Sequence, residues 1–413
     1  MVGSIVNGLL AYVFVVIGTR TLGAEAFAPI AVLWGFWAFS GAALAFPIQH
    51  WVIRQIEVDG GPQGVAAALP RLSAAVLAVA GVEGLVAAAF GSRLFGSGSW
   101  IWPAAVAGLA VGTGVLGLVR GMLSGLGRFG PAAVVIGGEN LVRVVAAVVA
   151  SVFWASSAGF GAALLTGPLV ALGWPGVFRL LRDRSLARPS IRLAGASAMG
   201  SVLSQSVLHG GPVALASLGG SPAIVTVVFS TMALFRAPYL IGVGLSLRTT
   251  GPVSRWVLDG DRRRVARFGL LIAVSGLVLA GVAALAAWVI GPSLVAGVFG
   301  AESRPDAWVA AVVAAASSLA LVGLWQFVTL IAAGREASLV ASWLIGFSAF
   351  ALAIALVPGD PVTRVVWAFL TGEASAAAAM ATALVTWARR ASSGEVGQDG
   401  GRHAGGERRE EAT

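Results

Sequence analysis

The sequence predicts an all-α integral membrane protein of about twelve transmembrane helices, and three observations carry that prediction. Hydrophobic residues make up 58% of the 413 and charged residues 11%, whereas a soluble domain spends about a quarter of its residues on charge. The mean hydropathy is +0.90. The apolar residues also gather in runs long enough to cross a bilayer, since about 20 residues span a hydrocarbon core of roughly 30 Å.

Taken in order, the runs are 3–19, 28–50, 69–90, 100–124, 131–152, 157–178, 193–217, 222–247, 269–290, 306–332, 337–357 and 361–388. The stretch Met1 to Gly18 has no basic leader and no cleavage site, so it reads as the first membrane helix and not as a removed signal peptide. The 56 Gly residues suit helices that approach backbone to backbone in lipid. The absence of Cys excludes disulfides and thiolate metal sites. The tail 391–413 is rich in Gly, Glu and Arg and reads as disordered, because it cannot bury enough apolar surface to fold.

Every basic residue other than His is an Arg. With twelve spans and a cytoplasmic N-terminus, the inner loops take Arg54, Arg71, Arg128, the run from Arg179 to Arg192, the run from Arg248 to Arg267, Arg335, Arg389 and Arg390. The outer loops take Arg20, Arg93, Arg304 and Arg364. That asymmetry places both termini in the cytoplasm and the protein in the cell (cytoplasmic or inner) membrane. It also explains the net charge of +9 without nucleic acid as a partner, because the Arg residues sit in short loops and form no binding face.

A faint repeat runs through the chain. Thr21-Leu22-Gly23 is echoed by Ser217-Leu218-Gly219, Pro47 and Arg54 by Pro238 and Arg248, and Gly127-Arg128 by Gly334-Arg335. Each pair lies six spans apart, which predicts two halves of parallel orientation.

Ionisable residues deep in a span cost roughly 2.5–3.5 kcal/mol at a helix centre and point to function. By depth these are Glu83, Arg120, Glu139, Arg143, Arg236 and Glu373, with Arg20 and Arg54 at the ends of the first two spans. Glu139 and Arg143 are one helical turn apart and can pair, either as a neutral structural pair or within a site. Arg120 lies near enough to an inner end to snorkel. Arg236 has no acidic residue within a turn, so it should face a water-filled cavity or an anionic group. Glu83, Glu139 and Glu373 are candidates for ion coupling, or counter-ions to Arg residues on other helices. Asn7, His50, Asn140, Gln205, His209 and Gln326 read as interhelical hydrogen-bonders. Gly210-Gly211-Pro212 interrupts the seventh span, as a packed kink or as a hinge. There is no GxxxxGK[ST] and no HExxH, so no ATP hydrolysis, catalytic metal or cofactor is expected of this chain, and no enzyme activity.

The run Asn7-Gly8 through Thr19-Arg20-Thr21-Leu22-Gly23-Ala24-Glu25-Ala26-Phe27 resembles the opening of polysaccharide flippases. Leu118-Val119-Arg120-Gly121-Met122-Leu123-Ser124-Gly125-Leu126-Gly127-Arg128-Phe129 resembles their fourth helix and following loop. Both motifs are degenerate. They place the chain in the wider superfamily of multidrug and lipid-linked-oligosaccharide exporters more securely than in one branch. The resemblance implies two six-helix lobes, 1–180 and 193–390, joined by a cytoplasmic loop 181–192 around a central cavity lined by helices one, two, seven and eight. It implies alternating access and, as partners, a polyprenyl-pyrophosphate-linked glycan, membrane lipids and the glycosyltransferases or polymerase of the same pathway. Arg20, Arg54 and Arg236 would contact the pyrophosphate, with Arg120 and Arg143 as second choices, because guanidinium offers a fixed fork of donors. Three other readings compete. A cation-coupled exporter of small amphipathic molecules would rely on Glu83, Glu139 or Glu373. A membrane enzyme would need a longer outer loop than any here, and a transport-inactive scaffold would act through its inner loops and tail.

Overall fold

The computed structural model describes residues 2–57, 61–181 and 195–392, and among these there is no β-strand. The tail from 393 and all but the first residue of the expected inter-lobe loop lie outside the described residues. Twelve crossings follow the chain. Two of them, α1 (2–22) and α2 (24–57), are separated at Gly23. Next come α3 (Gly61–Ala89), α4 (Ile101–Gly125), α5 (Phe129–Phe153) and α6 (157–180). The second half holds α7 (195–217), α8 (222–258), α9 (Arg262–Phe299), α10 (Ala307–Ala332), α11 (Glu336–Leu356) and α12 (Pro361–Ser392). The chain is thus a multi-pass membrane protein of two six-helix lobes.

Three crossings are broken, and proline and glycine account for the breaks. The sixth is an α-helical piece, Ser157–Leu165, a 3-10 stretch, Gly167–Gly173, and a short α-helix, Pro175–Leu180. The seventh divides into Gly195–His209 and Gly211–Ser217 at the glycine pair. The bond from Ala214 N–H to the Gly210 carbonyl, 2.8 Å, bridges that break and keeps it a mild kink. The eighth divides at Arg236 into Pro222–Phe235 and Ala237–Leu258. None of these pieces registers as a membrane span by length and hydropathy together, Ser157–Gly173 and Pro222–Phe235 being too short, whereas the other crossings do.

The repeat is visible in the turns. Gly127 and Gly334 both have left-handed φ, 70° and 67°. In each turn the following Arg N–H bonds back at 2.8 Å, Arg128 to the Leu123 carbonyl and Arg335 to the Leu330 carbonyl. That is the Schellman closure, which satisfies the end of a helix with glycine at its left-handed position. Left-handed glycines also pair at Gly23 and Gly219, after the first helix of each half. Packing repeats as well: α2 and α8 lie on α4 and α10, α3 and α9 on α4 and α10, and α5 and α11 on α6 and α12. Of the second echo, Pro47 is buried in α2 and Pro238 exposed in α8, while the side chain of Arg248 lies outside the described residues.

Each lobe turns apolar side chains outward, most of all on α3 (Leu77, Val82, Leu85) and α9 (Leu271, Leu277, Leu285). Without a hydrophobic force between helices in lipid, close packing must hold them, and small residues permit it. Gly117 of α4 is a tight case against the backbone of another helix. A Cβ there would sit 2.7 Å from the Ala45 carbonyl oxygen and 2.8 Å from Ala45 Cα, in the π-helical turn Gly41–Ala45 of α2. Neither atom can rotate away. Gly117→Val is therefore expected to cost about 1–3 kcal/mol and to lower the melting temperature of the purified protein. Gly81→Val, which meets nothing within 4 Å, should leave it unchanged, and equal melting of the two variants would refute the packing argument.

Candidate functional site

The site candidates separate into three groups, and proline placement explains two of them. Pro168 has no N–H, so the Leu164 carbonyl four residues before it loses its helical partner. Arg143 supplies the missing donor, its Nε bonding that carbonyl at 3.0 Å. The guanidinium fits because position 167 is Gly, where a Cβ would fall 2.5 Å from Arg143 Nε. Arg143 is fully buried and ion-paired to Glu139 at 2.7 Å. This contact lies outside hydrogen-bond geometry, since both of its atoms lack a bonded partner. Arg120 from α4 ion-pairs with the other Glu139 oxygen, so it does not snorkel. Asn140 accepts from Arg143 Nη1 at 3.0 Å and donates to the Asn7 carbonyl and side-chain oxygens of α1 at 3.0 and 2.9 Å. Trp37 of α2 places its ring 4.5 Å under the guanidinium. The triad carries two positive charges against one negative, wholly inside the first lobe.

The second group lies where α8 breaks. Pro238 removes the donor for the Leu234 carbonyl, and the hydroxyl of Tyr12, from α1 of the other lobe, bonds the carbonyls of Ala233 and Leu234. Arg236, at the break and buried, donates Nε to the Met232 carbonyl at 3.0 Å and lies 5.9 Å from the Phe369 ring. Glu373 of α12 is within its electrostatic reach, but no ion pair joins the two. Both Glu373 oxygens are buried without a hydrogen-bond partner, and so are both side-chain polar atoms of Gln326 and the indole nitrogen of Trp343. Gly323 of α10 lies beside them, with Met380 Cε nearest to it at 3.5 Å from a Cβ there. A Cβ there would lie 3.9 Å from Glu373 Oε2 and 3.8 Å from Trp343, and Gln326 is one turn further on. Buried polar groups are normally satisfied, so the unpartnered carboxyl, amide and indole on α12, α10 and α11 stand out among the described residues. Histidine, cysteine and acidic residues form no metal-holding group of three among the described residues.

Glu83 forms a third, smaller element. Ser40 Oγ is 2.7 Å from Glu83 Oε2 and 2.9 Å from the Phe36 carbonyl, directly ahead of the π-helical turn of α2. A hydroxyl carries one proton, so Ser40 donates to one of these oxygens at a time unless Glu83 itself brings a proton.

The two remaining candidates lie at opposite ends. Arg20, exposed, bonds the Gly297 and Val298 carbonyls at the close of α9, the latter at 2.9 Å. Beside it, Glu302 accepts from the Ala24 N–H at 3.0 Å. A Cβ on Gly23 would lie 2.7 Å from that carboxylate, and its φ of 75° also requires glycine. Both contacts join the lobes at the outer end. Below them an aromatic layer continues the seal: Phe27 and Trp34 of α2 stand 5.9 and 6.2 Å from Phe229 of α8, and Phe14 of α1 5.7 Å from Trp34. Toward the inner end, the arm Phe46–Glu57, with exposed Phe46 and Arg54, packs on α3 and α4, with no comparable contact to the second lobe among the described residues.

Sequence reasoning missed Tyr12, Trp37, Ser40, Trp343 and Glu302. For two contacts a signal was present, since Pro168 and Pro238 announce unsatisfied carbonyls at Leu164 and Leu234.

No family model matches the chain and no curated protein does. Solved structures match in fold. One described as the inward-facing conformation of a multidrug resistance MATE family transporter of the MOP superfamily has a TM-score of 0.72 at 15% identity, over 95% of this chain and 96% of that one. An outward-facing conformation described in the same words scores 0.60 at 14% identity, over 95% of each chain. A MOP superfamily transporter from Pyrococcus furiosus, described as having a binding pocket of reverse polarity that suggests a different function, scores 0.54 at 14% identity, over 95% of this chain and 94% of that one.

Burying Arg143 with Arg120 around a single carboxylate makes Glu139 indispensable to the first lobe. Glu139→Gln strands two guanidinium groups and is expected to destabilise by about 3–5 kcal/mol, whereas Arg120→Gln, at the more exposed edge of the triad, leaves the Glu139–Arg143 pair intact and should cost less. Thermal unfolding followed by tryptophan fluorescence gives the order, and a Glu139→Gln protein as stable as wild type would defeat the assignment.

Proposed function

We propose that this chain is a cation-coupled exporter of small amphipathic molecules that works by alternating access. The observation that carries the reading is the cluster beside Gly323, where Glu373, Gln326 and Trp343 hold buried polar atoms without partners. A buried carboxyl without a partner can take up a proton or a small cation, and a change of charge there acts on Arg236 at the break of a helix on the lobe interface. Aromatic rings meet across that interface: Tyr12 with Phe299, and Phe27 and Trp34 with Phe229. Such rings suit flat apolar cargo with a charge. Likeness in fold to multidrug transporters supports the reading. The fit is better to an inward-facing form than to an outward-facing one, in keeping with the contacts that join the lobes at the outer end.

A second reading, turnover of a lipid-linked oligosaccharide from inner to outer leaflet, has Arg236 in its favour, a buried guanidinium on a helix that faces the other lobe. It has less to draw on otherwise. Arg120 and Arg143 are held by Glu139, and Arg20 by the carbonyls of α9.

In proteoliposomes with an imposed proton or sodium gradient, wild type should move a fluorescent amphipathic cation. Glu373→Gln should cut gradient-driven transport by at least about tenfold, the scale of one lost charge-assisted contact. Transport of a polyprenyl-pyrophosphate sugar but of no dye would instead establish the second reading. The outer seal gives a further test, because the chain has no native Cys. Arg20→Cys with Val298→Cys, bridged by a cleavable bis-maleimide, should stop transport, and reduction should restore it. A bridged protein that transports at the wild-type rate would show that the outer end need not open.

A further inference from the structure

The inner end of α9 carries Arg262, Arg263, Arg264 and Arg267 within two turns, and the structure divides their work. Arg262 lies over Trp387 of α12 at 5.2 Å and Arg264 over Trp256 of α8 at 4.5 Å. Asp261 caps the helix by accepting from the Arg264 N–H at 3.0 Å. Two of the four guanidinium groups are thereby committed to holding α9 against its neighbours. Arg263 and Arg267, one turn apart on the face between α9 and α12, are not. With Arg389 of α12 they border a cavity of about 310 Å³ whose other walls are Ala266, Leu270, Val385 and Ala388. Neither Arg263 nor Arg267 forms an ion pair with any described residue.

The cavity is lined by both charged and apolar side chains. Residues 263, 266, 267 and 270 follow one stripe of the helix, guanidinium groups toward its start and Leu270 a turn further along it. Beyond Leu270 the exposed surface of α9 is apolar through Leu271, Val274, Leu277 and Val278, the surface that faces acyl chains. A free anion would have no use for that apolar continuation. A molecule with an anionic head and a hydrocarbon tail matches both parts, and guanidinium is the side chain best suited to phosphate.

We propose that the groove between α9 and α12 is a binding site for an anionic phospholipid of the inner leaflet, with its phosphate between Arg263, Arg267 and Arg389 and an acyl chain along Leu270. The site is distinct from the lobe interface and independent of the cargo. It lies where the turn Leu258–Asp261 joins α8 to α9, so an occupied groove braces the inner end of the segment Ala237–Leu258, which begins at the Arg236 break.

The test uses the full chain purified in neutral detergent, with short-chain phosphatidylglycerol as probe, phosphatidylcholine and inorganic phosphate as comparisons, and thermal stabilisation and native mass spectrometry as readouts. Phosphatidylglycerol should bind and raise the melting temperature, and Arg263→Gln with Arg267→Gln should weaken its affinity by about tenfold or more. Arg128→Gln with Arg335→Gln, equally basic positions on the same side but outside the groove, should bind as wild type does. Equal binding of the two lipids, equal stabilisation by inorganic phosphate, or an equal loss in the control variant would each overturn the proposal. Binding that emerges only after Glu407, Glu410 and Glu411 of the tail are changed to Gln would assign the groove to that tail instead.

Discussion

A proline inside a helix leaves one carbonyl without its donor, and in hydrocarbon no water takes the donor's place. Much of this structure follows from meeting that requirement twice. In the first lobe the orphan is Leu164, and satisfying it draws the guanidinium of Arg143 into the interior. A buried cation then needs Glu139, Glu139 holds Arg120, and Gly167 must lack a side chain to leave room. In the second lobe the orphan is Leu234, and the hydroxyl that reaches it belongs to Tyr12 of the opposite lobe. One solution is internal and fixed. The other crosses the interface between lobes, so any motion that separates α1 from α8 must find another partner for that carbonyl.

The halves of the repeat thus share a scaffold and differ in their charges. The turns agree down to the left-handed glycines at Gly127 and Gly334 and the bonds that close them. The first lobe buries its acid between two bases. The second buries Glu373 with neither an ion pair nor a hydrogen bond. A paired triad is stiff, because breaking it leaves charge uncompensated in a medium of low dielectric. An unpaired carboxyl can change its occupant at smaller cost to the fold. Under the proposed function the first lobe would then be the rigid body and the second would hold the responsive group.

The fold was legible because span length and Arg placement are one-dimensional signals. A run such as 131–152 needs no knowledge of its neighbours to be read as a span, and Phe129–Phe153 agrees with it within a few residues. The crossing at 157–178 was legible as apolar but not as three pieces, since apolar content does not report the loss of a donor at Pro168. Within the site, Glu139 with Arg143 could be read from helical spacing, being one turn apart. Arg120 with Glu139 could not, because that pairing joins two helices whose relative rotation the sequence does not display. Arg20 illustrates the same limit: its position at the end of a span was plain, but its partners, the carbonyls of Gly297 and Val298, carry no side-chain signature at all.

That the outer seal rests on backbone partners bears on how it opens. Arg20 bonds two carbonyls and Glu302 bonds one N–H, so both charged groups are exposed to water as soon as the lobes part, and the backbone groups they leave are at a helix end and a turn. Solvent replaces such contacts at little net cost, since an exposed hydrogen bond contributes modestly beyond its exchange with water. The aromatic layer of Phe27, Trp34 and Phe229 is different in kind, because water cannot substitute for it. Separating it exposes apolar surface, which, under the proposed exporter function, an amphipathic cargo lying against the same rings would cover again. The polar latch therefore gives the closed end its register, while the aromatic layer makes opening costly unless something apolar takes its place.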